Sequence, residues 1–448
     1  MGTAGAYFAA DDRRPLTGNW TGQIIAGLQK ETADVQAMTV AIWCVPLSIA
    51  VAEFFLSVAL LCRIIRYARG QDRIVLPRAF WYWLAWAGLT CMSVGFSPEP
   101  TAGWHLIRRL LLVACLFLVV PAIRNSSQLL FVWKGVFVTS AIGSLFLIGD
   151  FISRWFYYRG ELSVGGDPGF YLRTGGLLNH WMVWGTVEVV VLGGMLAFIH
   201  AFPLERWKWL PAILLNGLAI LLSLTRMIWI ASVFLLGLVL ILRRSRWVWA
   251  LPATAVALYF LAPGAIGSRL RDSVRADYYS NFERVQMLRV GWSMIKQHPF
   301  AGVGAGQIEK QYHRYLAPHD PIPAYHGHLH NNLVQTAAES GLPVAAAAML
   351  FCAILFMDIG KLVRTSLTQE DQFLSLAALL ALCGFLLAGC FDYTYGHSLG
   401  LILLSFGVIP ALSTKPCSAP GDSRHYAGKN SHGPHQASQA RLESLREG

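Results

Sequence analysis

Long apolar stretches constrain this chain more than any other feature of its sequence. A helix needs about 20 apolar residues to cross the hydrocarbon core of a bilayer, and eleven stretches approach or exceed that length. Only 14% of the residues are charged, whereas ordinary globular proteins have about 25%. The sequence therefore predicts an all-α polytopic membrane protein and excludes a soluble enzyme, a nucleic-acid reader and a disordered chain. The stretches cover residues 38–62, 76–95, 106–122, 129–149, 178–200, 209–224, 227–242, 247–263, 333–357, 372–391 and 397–412.

Lysine and arginine are concentrated in alternate loops. Five arginines lie in residues 63–78, whereas residues 96–105 and 391–397 contain neither lysine nor arginine. Because the cytoplasmic loops of membrane proteins collect these residues, we predict that the basic loops are cytoplasmic. The polar tail at 413–448 is predicted to be cytoplasmic and disordered. The same distribution accounts for the net charge of +11.

The first apolar stretch contains Pro46. Eleven spans with a cytoplasmic C-terminus would place the N-terminus outside. Two short helices that meet near Pro46 would restore an even number of crossings, because proline removes a helical hydrogen bond, so we predict about twelve transmembrane helices. The predicted organisation is an N-terminal segment (1–37) contributing to a first short helix, transmembrane helices (38–263) with an external loop (150–177), a long external region (264–332), C-terminal transmembrane helices (333–412) and the tail (413–448).

The external region at 264–332 is the only loop large enough to have an architecture of its own. It contains eight lysines and arginines against five acidic residues, and six of the thirteen histidines. The side of the membrane on which a loop of more than about 60 residues lies does not depend on its lysine and arginine content. The basic residues of this region are therefore compatible with an external location. A cationic surface next to a membrane favours an anionic lipid headgroup or a phosphate as its partner.

The segment His328–Gly341 is the sharpest local signal. At helical spacing Asn332, Gln335, Thr336 and Glu339 share one face. Polar groups in a membrane helix are costly and usually line a cavity, so we predict that this stripe does so. The alternative is a helix cap with a few solvated polar residues. His330, at the start of the segment, is the candidate general base, because imidazole accepts a proton near neutral pH.

Two motifs in the external region have a structural interpretation. The alternating His326, His328 and His330 resemble a metal-binding pattern, but neither cysteines nor an acidic cluster accompany them, so no metal is predicted. The run Gly302–Gly306 resembles a dinucleotide-binding loop. It follows an amphipathic helical run at 285–297 instead of a strand, so a tight turn is predicted.

Arginines near the predicted outer face are candidates for binding an anion. Arg226 lies in a short turn between two apolar stretches, and Arg173 precedes another stretch on the same face. Each guanidinium group would either project into a cavity or reach the lipid phosphates. Arg108 and Arg109 are predicted to reach the lipid phosphates.

Three segments together resemble the O-antigen ligase and Wzy-type polymerase superfamily of bacterial membrane glycosyltransferases. The turn Ser223-Leu224-Thr225-Arg226 is similar to the family's Ser-Arg turn. The helix led by Arg284 ends in a Pro-x-x-Gly-x-Gly pattern at 299–304, as the family's amphipathic helix does. His330-Asn331, separated from Gly341 by nine residues, matches the ligase motif.

This resemblance implies a GT-C-like fold of twelve helices with both termini in the cytoplasm of a bacterium and an active site at the periplasmic face of the inner membrane. The donor would be a glycan on undecaprenyl diphosphate and the acceptor a sugar hydroxyl of lipid A-core. His330 would be the general base of an inverting transfer that needs neither metal nor cofactor. The substrate-binding candidates are Arg284, then Arg226 and Arg289, with Arg173, Asn331 and Glu339 added.

Alternative functions remain open at this point. Within the superfamily the chain could be a Wzy-type polymerase, whose acceptor is another lipid-linked repeat, or a protein O-oligosaccharyltransferase. In a different class it could transport a lipid-linked glycan, since transporters also have intramembrane charges. The sequence has no inverted repeat and no matched pair of interrupted helices, which transporters often have. The asymmetric outer region favours chemistry on one face.

Overall fold

The computed structural model describes residues 31–123, 125–318, 320–323 and 327–413. Every regular element in these residues is a helix, so the predicted all-α class is confirmed. The predicted tail lies outside the described residues from residue 414 onward. The α-helices are α1 (Ala33–Cys44), α2 (Ile49–Ala68), α3 (Ala79–Gly95), α4 (Trp104–Val119), α5 (Ser126–Tyr157), α6 (Arg159–Ser163), α7 (Pro168–Tyr171), α8 (Trp181–Ala201), α9 (Arg206–Leu222), α10 (Arg226–Leu242), α11 (Ala250–Leu261), α12 (Gly264–Val274), α13 (Tyr279–Gln297), α14 (Ile308–Gln311), α15 (Asn332–Ser340), α16 (Leu342–Thr365), α17 (Gln369–Gly389) and α18 (Ser398–Ser413).

Several helices are long and apolar enough to cross a membrane. Among the described residues five helical segments meet that description by length and composition, and a sixth is obtained if one bent pair is taken as a single span. The chain is therefore a multi-pass membrane protein. The five segments are Pro100–Ala122, Ser126–Tyr157, Trp181–Ala201, Leu342–Thr365 and Gln369–Ala388, and the bent pair is Arg246–Leu261 with Gly264–Gln297.

The predicted break at Pro46 is confirmed. The helices α1 and α2 are separated by residues 45–48 and pack against each other. Proline has no backbone N–H to donate and disfavours a helical conformation in the residue before it. The first apolar stretch is therefore a pair of helices instead of one long helix.

The helices α8 and α17 form the centre of the bundle. They make the most extensive helix–helix contact among the described residues. Gly193 of α8 permits this close approach, because a Cβ there would lie 3.1 Å from the backbone nitrogen of Ala381. The surrounding helices α5, α10 and α18 cover this pair, which leaves the connections at the ends of the helices free to build a site.

Two predicted boundaries are wrong. The loop predicted to begin at residue 150 begins later, because α5 continues to Tyr157 and the charged pair Asp150 and Arg154 interacts along its surface at 3.2 Å. The stretch predicted at 333–357 is broken at Gly341, whose φ is 89°. The polar stripe therefore lies on the separate short helix α15, and the membrane helix α16 begins only at Leu342.

Candidate active site

The N-terminus of α15 fixes the position of His330. The Asn331 side chain accepts hydrogen bonds from the backbone N–H groups of Leu333 and Val334, both at 3.0 Å, as an N-cap residue does. Its amide nitrogen also donates to the carbonyl oxygen of Cys390 at 3.0 Å. One side chain therefore caps α15 and attaches it to the connection between α17 and α18.

A second asparagine strengthens this attachment. The amide of Asn332 donates to the hydroxyl of Thr394 at 2.7 Å, and its oxygen accepts from the backbone N–H of Tyr395 at 3.3 Å. Gly389 makes room for the asparagine, because a Cβ at that position would lie 2.1 Å from the Asn332 amide nitrogen. The connection at 390–397 is thus held beside His330.

This attachment brings Asp392 to His330. Nδ1 of His330 lies 2.9 Å from Oδ1 of Asp392, a hydrogen-bonding distance. The other carboxylate oxygen lies 3.7 Å from Nε2 of His397. The ring of His328 contacts that of His330 edge-on, with the centroids 4.2 Å apart. His330 has a φ of 48°, a conformation that non-glycine residues seldom adopt.

The protonation states of this cluster follow from its burial. Burial opposes ionisation of Asp392, but the hydrogen bond from His330 and the neighbouring imidazoles outweigh it and lower the pKa of the carboxyl group. Burial lowers the pKa of His328 and of His397 to about 4. At neutral pH the cluster therefore contains a carboxylate and two neutral imidazoles around His330.

His330 faces a cavity of about 410 Å³. This volume lies within the range typical of small-molecule sites. Two arginines and four histidines line it together, so the cavity can hold an anion near a group that accepts a proton. The lining residues are Arg173, His180, Trp181, Met182, Tyr279, Ser280, Glu283, Arg284, Met287, His328, His330 and His397, and we call this space the arginine cavity.

Arg173 is held ready for an anion. Its guanidinium lies over the ring of Trp181, 4.3 Å from the centroid. Its Nε is buried and has no hydrogen-bond partner among the described residues. Burial, followed by the charges of Arg269 and Arg284, lowers the pKa of Arg173 to about 10. The group is still protonated at neutral pH. A bound anion would accept a hydrogen bond from Nε and would raise the pKa of Arg173 towards its usual value.

Two further arginines support the start of α13, where the cavity wall begins. Arg226 donates hydrogen bonds to Asn281 and, at 3.1 Å, to Ser280, which lines the cavity. Arg269 is buried and donates to the hydroxyl of Tyr278 at 2.7 Å. The motifs singled out in the sequence did not include Arg269, and only its place in a cationic external region pointed to it.

The structure does not bring all the predicted substrate-binding residues to the cavity. Arg289 is exposed and does not line it. Asn331 acts as a helix cap and does not line it either. Glu339 faces away from the cavity, and its carboxylate accepts a hydrogen bond from the backbone of Gly306 at 3.0 Å.

Two other interpretations from the sequence need correction. The stripe of Asn332, Gln335, Thr336 and Glu339 lines a cavity only in part. Thr336 and Glu339 line a largely apolar cavity beside α16, whereas Asn332 and Gln335 hold loops by hydrogen bonds. Arg109 does not reach outward to lipid, because its guanidinium donates to the hydroxyl of Tyr393 at 2.7 Å. The tight turn predicted at Gly302–Gly306 is confirmed, since all three of its glycines have a positive φ.

One group of described residues has a spacing that could hold a metal ion. The candidate ligand atoms of His328, His330 and Asp392 lie within 4.8 Å of one another. However, His330 and Asp392 are in direct hydrogen-bond contact. That contact suits an imidazole whose orientation and tautomer are fixed by a carboxylate.

The burial of Glu339 predicts a pH-dependent stability. Burial raises the pKa of this carboxyl group from 4.5 to about 7, so the unfolded chain ionises there at lower pH than the folded one does. Stability is therefore lost as the pH rises from 4.5 to about 7. Glu339→Gln should remove this loss and stabilise the protein at pH 8 by about 3 kcal/mol. The measurement is the apparent thermal midpoint of the purified protein at pH 5 and pH 8.

The exposed Glu309 provides the matched control. Glu309→Gln should leave the difference between the two midpoints unchanged. If Glu339→Gln also retained the wild-type difference, Glu339 would not be the group responsible.

These features define a helical multi-pass membrane protein whose cavity combines guanidinium groups with an imidazole–carboxylate pair. Residues 210–349 match the family model described as O-antigen ligase. Over these 140 of 448 residues the match supports the superfamily resemblance seen in the motifs, and it points to an enzyme of the membrane glycosyltransferase type. The matched region contains Arg226, Arg284 and His330, whereas Arg173 and Asp392 lie outside it. No curated protein matches the chain significantly.

Proposed function

We propose that the protein is an inverting, metal-independent glycosyltransferase. It moves O-antigen glycan from undecaprenyl diphosphate to a sugar hydroxyl of lipid A-core at the periplasmic face of the bacterial inner membrane. The observation that carries this proposal is that His330, paired with Asp392, faces the same cavity as Arg173 and Arg284. The family match supports a transfer reaction in O-antigen synthesis.

The arginine cavity binds the diphosphate of the donor. Arg284 and Arg173 line it, and guanidinium groups bind phosphate bidentately and remain charged. Negative charge grows on the diphosphate as the bond to the anomeric carbon breaks, and fixed cations stabilise that charge. Arg226 holds Ser280 and Asn281 at the start of α13 and adds to the positive potential.

His330 acts as the general base. Nδ1 of His330 donates to Asp392, so Nε2 is free to accept the proton of the acceptor hydroxyl. The acceptor oxygen forms a bond with the anomeric carbon while the bond from that carbon to the phosphate oxygen breaks. Undecaprenyl diphosphate leaves with the bonding electrons. Asp392 is a positioning residue that stabilises the imidazolium, and direct attack inverts the anomeric centre.

The proposed topology has twelve spans, with both termini in the cytoplasm. Five of the twelve have the length and composition of a membrane span, namely α4, α5, α8, α16 and α17. The other seven are assigned to the membrane because they fall in the apolar stretches of the sequence. The basic connection between α2 and α3 is then cytoplasmic. The region at 264–332 and the connection at 390–397 are then periplasmic, and both contribute to the cavity. The twelve helices are α1, α2, α3, α4, α5, α8, α9, α10, α11, α16, α17 and α18.

Transfer by the purified protein should not depend on a divalent metal ion. The assay mixes the detergent-solubilised protein with lipid-linked glycan and lipid A-core and compares turnover with and without EDTA. We expect equal rates, because the arginines supply the positive charge at the leaving group. A rate that falls with EDTA and recovers with added cation would contradict the metal-independent mechanism.

The acceptor is tested separately from the chemistry. If the protein is a ligase, a deletion strain should lose all long-chain lipopolysaccharide while lipid-linked polymer persists. If it is a polymerase, the strain should accumulate lipopolysaccharide with a single repeat. If it is a protein oligosaccharyltransferase, the strain should lose glycosylated protein. Transfer in detergent, without a membrane gradient, would eliminate transport as the main role.

A further inference from the structure

A second cavity shares no lining residue with the arginine cavity. It has a volume of about 490 Å³ and lies where the turn at 299–304 meets the C-terminal end of α3. The exposed rings of Phe96 and Phe300 form its rim. We call this space the turn cavity.

The polar wall of the turn cavity suits an anionic, hydroxyl-rich ligand. Arg314 is exposed there, and its hydrogen-bond partner is the neutral side chain of Gln311, at 2.9 Å. Nε2 of His298 lies 2.9 Å from the hydroxyl of Tyr315. Ser97 is only 7% exposed, yet its hydroxyl has no hydrogen-bond partner among the described residues. A buried hydroxyl without a partner is costly unless a ligand satisfies it.

The turn cavity borders a largely apolar groove. The two spaces share Ser340 and Val344 as lining residues. The groove follows α16 from Val344 to Leu355, a helical distance of about 17 Å. This length is close to one leaflet of the hydrocarbon core, which is about half of the full ~30 Å thickness. A polar cavity above a groove of that length has the shape of a site for a lipid with its headgroup.

We propose that the turn cavity and the groove bind the acceptor, as a phosphorylated glycolipid with its phosphate-bearing sugar at Arg314 and Ser97 and one acyl chain in the groove. The proposal rests on the proposed function. The donor has its own cations in the arginine cavity, which leaves the cation of the turn cavity for the second substrate. Charge complementarity favours a phosphate next to the Arg314 guanidinium.

The length of α15 separates the lipid anchor from the reacting hydroxyl. Ser340, at the end of α15, borders the turn cavity, whereas His330 lies just before its first residue. The nine residues of α15 span about 13 Å. An acceptor anchored in the turn cavity must therefore carry several sugars between its lipid and its acceptor hydroxyl. The oligosaccharide of a lipid A-core fits this requirement, and a lipid with a single sugar does not.

The test measures steady-state transfer to purified lipid A-core by two variants. Arg314→Gln removes the cation of the turn cavity, and Val344→Trp places a large ring at a buried residue that lines both spaces. We expect each to raise the KM for the acceptor about tenfold, with kcat and the donor KM unchanged. Lys296→Gln is the matched control for Arg314→Gln, because both residues are exposed. Ala348→Trp, at another buried residue of α16, is the matched control for Val344→Trp, and neither control residue lines either space. Wild-type acceptor KM in both test variants would overturn the proposal.

A direct binding measurement separates this proposal from the proposed function. Native mass spectrometry of the full chain in detergent compares lipid A bisphosphate, its dephosphorylated form and phosphatidylglycerol. We expect the wild type to retain the bisphosphate preferentially and Arg314→Gln to lose that preference. Equal retention of phosphatidylglycerol would overturn the proposal, even if transfer occurred. Preferential retention without any transfer would instead contradict the proposed function and leave the lipid site standing.

Discussion

Replacing His330 with alanine is expected to reduce glycan transfer by at least about a hundredfold, because a positioned general base contributes roughly 10²- to 10⁴-fold to rate. His330 is the imidazole that faces the arginine cavity and is oriented by a buried carboxylate at 2.9 Å. The measurement is the single-turnover rate with lipid-linked glycan and lipid A-core. Donor binding should be nearly unchanged, since His330 acts on the acceptor.

The control must separate loss of the base from loss of the fold. His313 is an exposed histidine of the same external region, and His313→Ala should transfer at the wild-type rate. His330→Asn is the sharper test variant, because asparagine tolerates the positive φ of this position better than alanine does. Wild-type turnover in either His330 variant would remove this residue from the role of base.

Replacing Arg284 with lysine is expected to reduce kcat/KM for the donor about 10- to 100-fold. Lysine retains the charge but loses the planar fork that holds two phosphate oxygens at once. The effect should appear in both the donor KM and kcat, since the same group binds the diphosphate and stabilises its departure. Initial rates over a range of donor concentrations provide the measurement.

Arg289 provides the matched control for the Arg284 prediction. The sequence ranks Arg284 first and Arg289 third among the arginines expected to bind the donor, whereas the structure leaves Arg289 exposed and outside the cavity. Arg289→Lys should therefore behave like the wild type. An equal loss in both variants would mean that the donor lies along the outer surface of α13, and equal wild-type rates would reduce Arg284 to a structural role.

Local signals predicted the parts of the fold that depend on backbone chemistry. Pro46 cannot continue a helix and Gly302–Gly306 cannot form one, so both breaks were predictable. The break at Gly341 was equally open to prediction but was missed, because Gly341 is followed by Pro343, which stands in the first turn of α16. A tertiary contact adds to this local signal. A Cβ on Gly341 would lie 2.1 Å from the carbonyl oxygen of Phe300.

The candidate site was predictable only where its residues belong to one local motif. His330 and Arg284 each lie in such a motif. Asp392 lies 62 residues from His330, and no local pattern connects them. The available signal was weak: Asp392 is the single carboxylate in an otherwise uncharged connection between two apolar stretches. The signal for Arg269 was weaker still, because the exposed and buried arginines of an amphipathic region cannot be distinguished by sequence.

The hydrogen bond between His330 and Asp392 joins two separate parts of the membrane bundle. His330 precedes α15, which leads into α16, whereas Asp392 lies in the connection between α17 and α18. Helices respond to hydrophobic mismatch by tilting, and tilting of these helices would stretch or bend that hydrogen bond. Turnover in reconstituted vesicles should therefore pass through an optimum as the acyl chains of the host lipid are lengthened, so the thickness of the bilayer acts as an adjustable parameter of the chemistry.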